Sequence, residues 1–143
     1  MRHIQTEITI NAPSEIIWEV LMDFEKYQNW NPFIQAISGE AKVGSTLKIE
    51  IHPPDAKPMV FKPKVLTCEP SREFRWLGKG PLPGLFDGEH LFKLEALDGG
   101  KTRFIHEEEF TGILVGLSKK LLDKTEVGFS HMNEALKEEC EKR

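Results

Sequence analysis

The run Phe86-Asp87-Gly88-Glu89-His90-Leu91-Phe92-Lys93-Leu94-Glu95, the turn Asp98-Gly99-Gly100 and the run Thr102-Arg103-Phe104-Ile105-His106-Glu107-Glu108-Glu109-Phe110 decide the fold. Phe86, Gly88, His90, Phe92 and Leu94 share one face of the first run. Phe104, His106, Glu108 and Phe110 share one face of the second. Period-two alternation marks a strand, and a glycine-rich turn between two strands joins them antiparallel. With their flanks, about 86–97 and 101–113, each strand is ~12 residues or ~40 Å long, so the pair must twist and curve. The more aromatic faces are expected to be concave. Ile105 and Ile113 lie on the opposite face of the second strand. A β-bulge near Gly88 or Gly112 would therefore turn Glu108 outward, and its orientation stays open.

Upstream, the segments at about 33–40, 45–52, 58–69 and 72–79 also read as strands, separated by Gly39 and Gly44, by Pro53-Pro54-Asp55 and by Glu69-Pro70-Ser71. Short turns imply a meander. The chain opens on another strand, with Ile4, Thr6, Ile8 and Ile10 on one face. Asn11-Ala12-Pro13-Ser14 stops it and starts a helix with the apolar stripe Ile17, Val20, Leu21 and Phe24. A second short helix at about 23–29 ends before Pro32, which pushes Asn31 out of helical space.

Downstream, residues 115 to about 141 read as one amphipathic helix of ~27 residues, ~40 Å. Its inner stripe is Leu117, Leu121, Thr125, Gly128, Met132, Leu136 and Cys140, flanked by Leu122, Phe129 and Ala135. The expected architecture is an α+β fold in which about seven antiparallel strands curve around a long C-terminal helix, with two short helices after the first strand. No repeat or linker divides residues 1–143, so one domain is expected.

Composition removes several function classes. The 143 residues carry 19 basic and 23 acidic side chains, a net charge of −4 with no basic cluster, which argues against nucleic acid as a partner. No apolar run approaches the ~18 residues of a membrane span. Met1 is followed by polar Arg2-His3-Ile4-Gln5-Thr6-Glu7 rather than an apolar leader core, and Cys68 and Cys140 lack paired spacing. A cytoplasmic protein with two ordinary thiols is expected. The charged outer face of the last helix favours a monomer. No Walker A, G-x-G-x-x-G or G-x-S-x-G pattern is present, so no cofactor is called for.

Trp18, the run Phe24-x-x-Tyr27-x-x-Trp30-Asn31-Pro32-Phe33, Phe74-Arg75-Trp76, Gly88-Glu89-His90-x-Phe92, Thr102-Arg103-Phe104-Ile105-His106 and Gly128-Phe129-x-x-Met132-Asn133 together resemble the SRPBCC (START-like, Bet v 1-like) superfamily, in its polyketide-cyclase-like branch. The resemblance spans nearly the whole chain. It implies a helix-grip fold with a cavity between the curved sheet and the terminal helix.

On that plan the cavity would be lined by Trp30, Phe33, Phe61, Val65, Trp76, Phe86, Phe92 and Phe110, by the polar residues His90, His106 and Glu108, and by Thr125, Gly128, Phe129 and Met132 from the helix. An apolar concavity with a few convergent polar groups is the usual form of a small-molecule site. The expected function is binding a small hydrophobic ligand such as a lipid, polyketide or isoprenoid, and a cavity filled by side chains with no void above ~300 Å³ would count strongly against it. The alternative is a cyclase- or dehydratase-type enzyme using His106 and Glu108 for acid–base chemistry. His90, His106 and Glu108 could in principle ligate iron, but they come from two strands without a compact motif, and no metal is expected. Gly128 leaves room either for a ligand or for close packing. The loops 52–58 and 78–85, the second carrying Leu82 and Leu85, have the composition either of lids or of ordinary hairpin turns with one apolar plug.

Overall fold

The computed structural model describes residues 1–79, 84 and 86–143. The element order is β1 (Arg2–Ile10), α1 (Ser14–Met22), α2 (Tyr27–Trp30), β2 (Ile34–Ser38), β3 (Lys48–Ile51), β4 (Met59–Phe61), β5 (Lys64–Glu69), β6 (Glu73–Lys79), β7 (Asp87–Ala96), β8 (Thr102–Thr111) and α3 (Lys119–Glu141). Leu82 and Leu85 lie outside the described residues.

Five strands form an antiparallel sheet in the order β1-β8-β7-β6-β5, and three form a second in the order β2-β3-β4. Residues 44–47 stitch the two along the edge of β5: Leu47 donates to the Pro63 carbonyl at 2.8 Å, and Val65 donates to the Ser45 carbonyl at 2.9 Å. The described strands number eight, close to the expected seven. The expected strand at 58–69 is two strands because Pro63 has no N–H to give to a ladder. On either side of it the chain pairs with different neighbours, β4 with β3 and β5 with β6.

The β7–β8 pairing runs without a shift from Asp87 opposite Thr111 to Ala96 opposite Thr102. No bulge intervenes, so Glu108 stays on the inner face with His106 and Phe110. Gly112, at φ +119°, ends the strand two residues earlier than expected. On the outer face Leu91 and Ile105 are also buried. Their cross-strand neighbours Arg75, Glu107, Lys93 and Glu7 carry long stems that can cover them.

The terminal helix is shorter than expected. Residues 115–117 form a 3₁₀ turn, and α3 starts at Lys119, giving 23 residues or ~34 Å. Gly116 within that turn disfavours α-helix by ~1 kcal/mol relative to alanine. Leu117 is consequently 84% exposed and does not belong to the inner stripe. The buried side of α3 comprises Leu122, Thr125, Gly128, Phe129, Met132, Asn133, Leu136 and Cys140. No helix among the described residues is long and apolar enough to cross a membrane.

Between α1 and β2 the chain turns on two side-chain contacts. The Tyr27 hydroxyl donates to the Leu21 carbonyl at 2.7 Å. Asn31 Oδ1 accepts from the backbone N–H groups of Phe33 and Ile34 at 2.9 and 2.8 Å. The second clamp sets Phe33 down against α3, at one wall of the space that the sheets and helix enclose.

Candidate functional site

That space is a cavity of about 220 Å³. Its walls come from both sheets and from α3: Phe33 and Ile34, Ile49 and Ile51 of β3, Met59 and Phe61 of β4, Trp76 of β6, and Leu121, Leu122 and Thr125 of α3. Gly88, His90, Glu108 and Phe110 supply the β7–β8 wall, with Phe86 just before it. Lys79 and Leu114 are lining residues exposed to solvent, and they mark the mouth. The void falls below the ~300 Å³ mark for a ligand cavity, which counts against the larger ligands of the expected class.

Of the residues expected to line it, Phe33, Phe61, Trp76, Phe86, His90, Glu108, Phe110 and Thr125 do so. Trp30 does not. It is half-buried and rests on Tyr27, with ring centroids 5.3 Å apart. Val65 is buried opposite Trp76, and Phe92 lies in the core against Trp76 and Phe104. Phe129 and Met132 are fully buried behind the cavity wall. Gly128 is also sealed off. A Cβ there would collide with the Phe33 ring, so this glycine admits close packing rather than a ligand.

His106 is fully buried and does not reach the cavity. Its ring stacks on Phe129 with centroids 3.8 Å apart at 7°. His90 stacks on Trp76 with centroids 4.4 Å apart at 16°. The two imidazoles meet at 2.8 Å between their Nε2 atoms. On its other side His90 Nδ1 lies 3.0 Å from Glu108 Oε1, and His106 Nδ1 lies 3.0 Å from Asn133 Oδ1. Asn133 Nδ2 donates to Thr6 Oγ1 at 2.9 Å, and the Thr6 hydroxyl donates to the His106 carbonyl at 3.0 Å.

This chain has a direction. Thr6 spends its one proton on a carbonyl and must accept from Asn133, which leaves Asn133 Oδ1 to accept from His106 Nδ1–H. Neutral His106 then has a bare Nε2, which accepts from His90 Nε2–H. Neutral His90 has a bare Nδ1, which needs a donor. Glu108 satisfies it only as a carboxylic acid, with the proton on Oε1. Turning the Asn133 amide over would reverse every link and take the Thr6 proton away from the His106 carbonyl.

Burial favours the same protonation states. It lowers His90 to about 3 and raises Glu108 to about 8. His106 is held well below the usual histidine range, first by burial and then by the adjacent His90, with Asn133 opposing in part. Glu108 keeps 16% side-chain exposure, and it lines the cavity. Gly88 makes space for it, since a Cβ at that position would strike the carboxyl group.

Sequence reading missed Asn133 and Thr6 as parts of this chain, and Ile49, Ile51 and Met59 as lining. Asn133 had a usable signal, being a polar residue on an otherwise apolar helix stripe that needs an inward partner. As a metal site the cluster is badly arranged: the two Nε2 atoms point at each other rather than at a shared position. Among the described residues no group of three His, Cys, Asp or Glu could hold a metal ion.

A curved sheet gripping a long helix over an apolar cavity with one polar end is the helix-grip arrangement that the sequence led one to expect. Residues 1–141 match the family described as polyketide cyclase/dehydrase and lipid transport, and the chain belongs to that family. No curated protein matches the sequence. Among solved structures it is similar to the Zhui aromatase/cyclase from Streptomyces sp. R1128, with TM-score 0.80 and 18% identity over 99% of this chain and 94% of that one. A START superfamily protein from Mycobacterium smegmatis superposes with TM-score 0.74 and 21% identity over 98% and 97% of the two chains. A protein from Mesorhizobium loti superposes with TM-score 0.74 and 20% identity over 96% and 95%. At these identities the likeness is one of fold.

Proposed function

We propose that this protein binds a small hydrophobic molecule in the cavity between the two sheets and α3, for transport, sequestration or sensing. The observation that carries the reading is a void lined by isoleucine, phenylalanine, tryptophan and leucine side chains with one polar end at Glu108 and His90. An apolar cavity of ~150 Å³ already stays dry and admits benzene. About 220 Å³ therefore suits a fused bicyclic aromatic or a short isoprenoid, and a longer chain would extend past Lys79 and Leu114 into the mouth. The family membership supports a ligand of this class.

The test is mass spectrometry of the purified protein, native and then denatured, together with titration of naphthalene into the emptied protein. One organic molecule per chain is expected. Ile51→Trp, which fills the void from β3, should abolish binding while leaving the melting temperature within a few degrees. Binding that survives the filled cavity would sink the assignment.

A cyclase- or dehydratase-type enzyme is the second reading, favoured by the neutral carboxyl that Glu108 holds beside an apolar space. A carboxyl titrating near neutrality is suited to proton transfer. In that case Glu108 would be the group touching substrate. His90 and the buried His106 would be positioning residues. Turnover lost in Glu108→Gln with binding retained would favour this reading over simple binding.

A further inference from the structure

We propose that the polar end of the cavity selects a neutral hydrogen-bond donor, an alcohol or phenol hydroxyl on an otherwise apolar ligand, and that the accepting atom is Glu108 Oε2. The inference rests on the ligand-binding reading and names the ligand's chemical class.

Two independent features of the lining lead there. The first is the directed chain from Thr6 to Glu108. It consumes the acid proton on Oε1 in the bond to His90 Nδ1, so the second oxygen is a carbonyl-type acceptor with no proton to give. Oε2 has no hydrogen-bond partner among the described residues, and the side chain of Glu108 borders the cavity. The second feature lies on the opposite wall. The Thr125 hydroxyl donates to the Leu121 carbonyl at 2.8 Å, and the Ser118 hydroxyl donates to the Leu114 carbonyl at 3.0 Å. Each has spent its only proton, so both hydroxyls can offer the cavity lone pairs alone.

Both ring nitrogens of His90 are engaged as well. Among the described side chains that line the cavity, only the Trp76 indole N–H on the β6 wall and the Lys79 ammonium at the mouth keep a proton to give; the other polar atoms are acceptors or already committed. A ligand hydroxyl entering this space finds acceptors on both walls. A ketone or aldehyde oxygen set against Glu108 meets lone pairs and stays unpaired there, its one inner donor being the Trp76 indole N–H, and a carboxylate meets lone pairs unless it stays beside Lys79. Leaving a buried acceptor unpaired costs ~1–3 kcal/mol.

The experiment compares 2-naphthol, 2-naphthaldehyde and naphthalene by calorimetric titration at about pH 6.5, where the ordinary phenol is neutral. The expected result is that 2-naphthol binds about 10-fold or more tighter than 2-naphthaldehyde. Glu108→Gln should keep that order, because its amide N–H can donate to His90 Nδ1 while its carbonyl faces the cavity. Glu108→Leu removes the Oε2 acceptor but leaves the Thr125 and Ser118 lone pairs in place, so it should shrink the preference for 2-naphthol about 3-fold or more without reversing it.

Tighter binding of the aldehyde would overturn the inference. So would a reversed preference in Glu108→Gln, which would mean the chain runs the other way. Equal affinity for all three ligands would overturn the donor assignment alone and leave the cavity as a ligand site. Failure of all three to bind would overturn the ligand-binding reading and this inference with it.

Discussion

His90 and His106 face each other through Nε2 atoms 2.8 Å apart. Two imidazoles can share such a contact only if one donates and the other accepts, so the rings hold opposite tautomers. Their partners, Glu108 on one side and Asn133 on the other, decide which is which. A local contact in the core is thereby tied to the chemistry that Glu108 presents to the cavity.

Stability should pass through a maximum near pH 6.5. His90 and His106 titrate lower in the folded chain than at their ordinary 6.5, so below that value the unfolded chain binds more protons and stability falls with acid. Glu108 goes the other way. It is raised from its ordinary 4.5 to about 8, so between those values the folded chain binds the extra proton and stability falls as pH rises. From 4.5 to 6.5 the two histidines outweigh the one carboxyl and stability rises with pH; from 6.5 to 8 the carboxyl acts alone and stability falls. Urea unfolding across pH measures both limbs. Glu108→Gln should flatten the alkaline limb and, by removing the group that opposes the histidines, steepen the acid one.

Gly128→Ala should destabilise the protein. Helix propensity alone predicts a gain of ~1 kcal/mol. The added Cβ would strike the Phe33 ring, which is pinned by the Asn31 turn and by edge contact with Phe129 at 5.4 Å. Overpacking of this kind costs ~1–3 kcal/mol, and the melting temperature should drop accordingly. Phe33→Leu in the same chain should recover part of the loss, and a double-mutant cycle reads the coupling.

Gly88→Ala should act on the site rather than on the core. Its Cβ would push the Glu108 carboxyl away from His90 and toward the mouth. Released from burial, Glu108 should titrate closer to an ordinary carboxyl, so the alkaline limb of the stability profile should shrink as in Glu108→Gln. An unchanged profile would mean that Glu108 accommodates the methyl without moving.

Asn133→Leu removes the acceptor for His106 Nδ1–H and the donor to Thr6 while filling similar volume. An unpaired buried donor costs ~1–3 kcal/mol, and chemical denaturation at pH 6.5 should show a loss in that range.

Much of this was legible beforehand, and the reason is periodicity. Strict alternation through β7 and β8 placed Gly88, His90 and Phe92 on one face with His106, Glu108 and Phe110, and an unbroken register kept them there. What failed was whatever depends on a partner distant in sequence. Pro63 reads equally well as an edge residue of one strand or as the break between two; only the pairing of β4 with β3 decides. Gly128 is explained by Phe33, which the Asn31 clamp delivers from the other end of the chain. Ile49, Ile51 and Met59 belong to the second sheet, and nothing in their own segments shows that it folds over the first to close the cavity. His106 shares a face with Glu108, yet one side chain ends behind the cavity wall and the other at it. That depth difference comes from stacking on Phe129, not from alternation.

The most direct measurement is the long-range proton–nitrogen NMR spectrum of the histidine rings at pH 6.5. The chain running from Glu108 to Thr6 predicts two neutral imidazoles of opposite tautomer, His90 with hydrogen on Nε2 and His106 with hydrogen on Nδ1. Glu108→Gln should leave both unchanged. A doubly protonated His90 would mean an ion pair with Glu108, and the reversed pair of tautomers would mean that the carboxyl offers the cavity a different face; either spectrum would overturn the site as described.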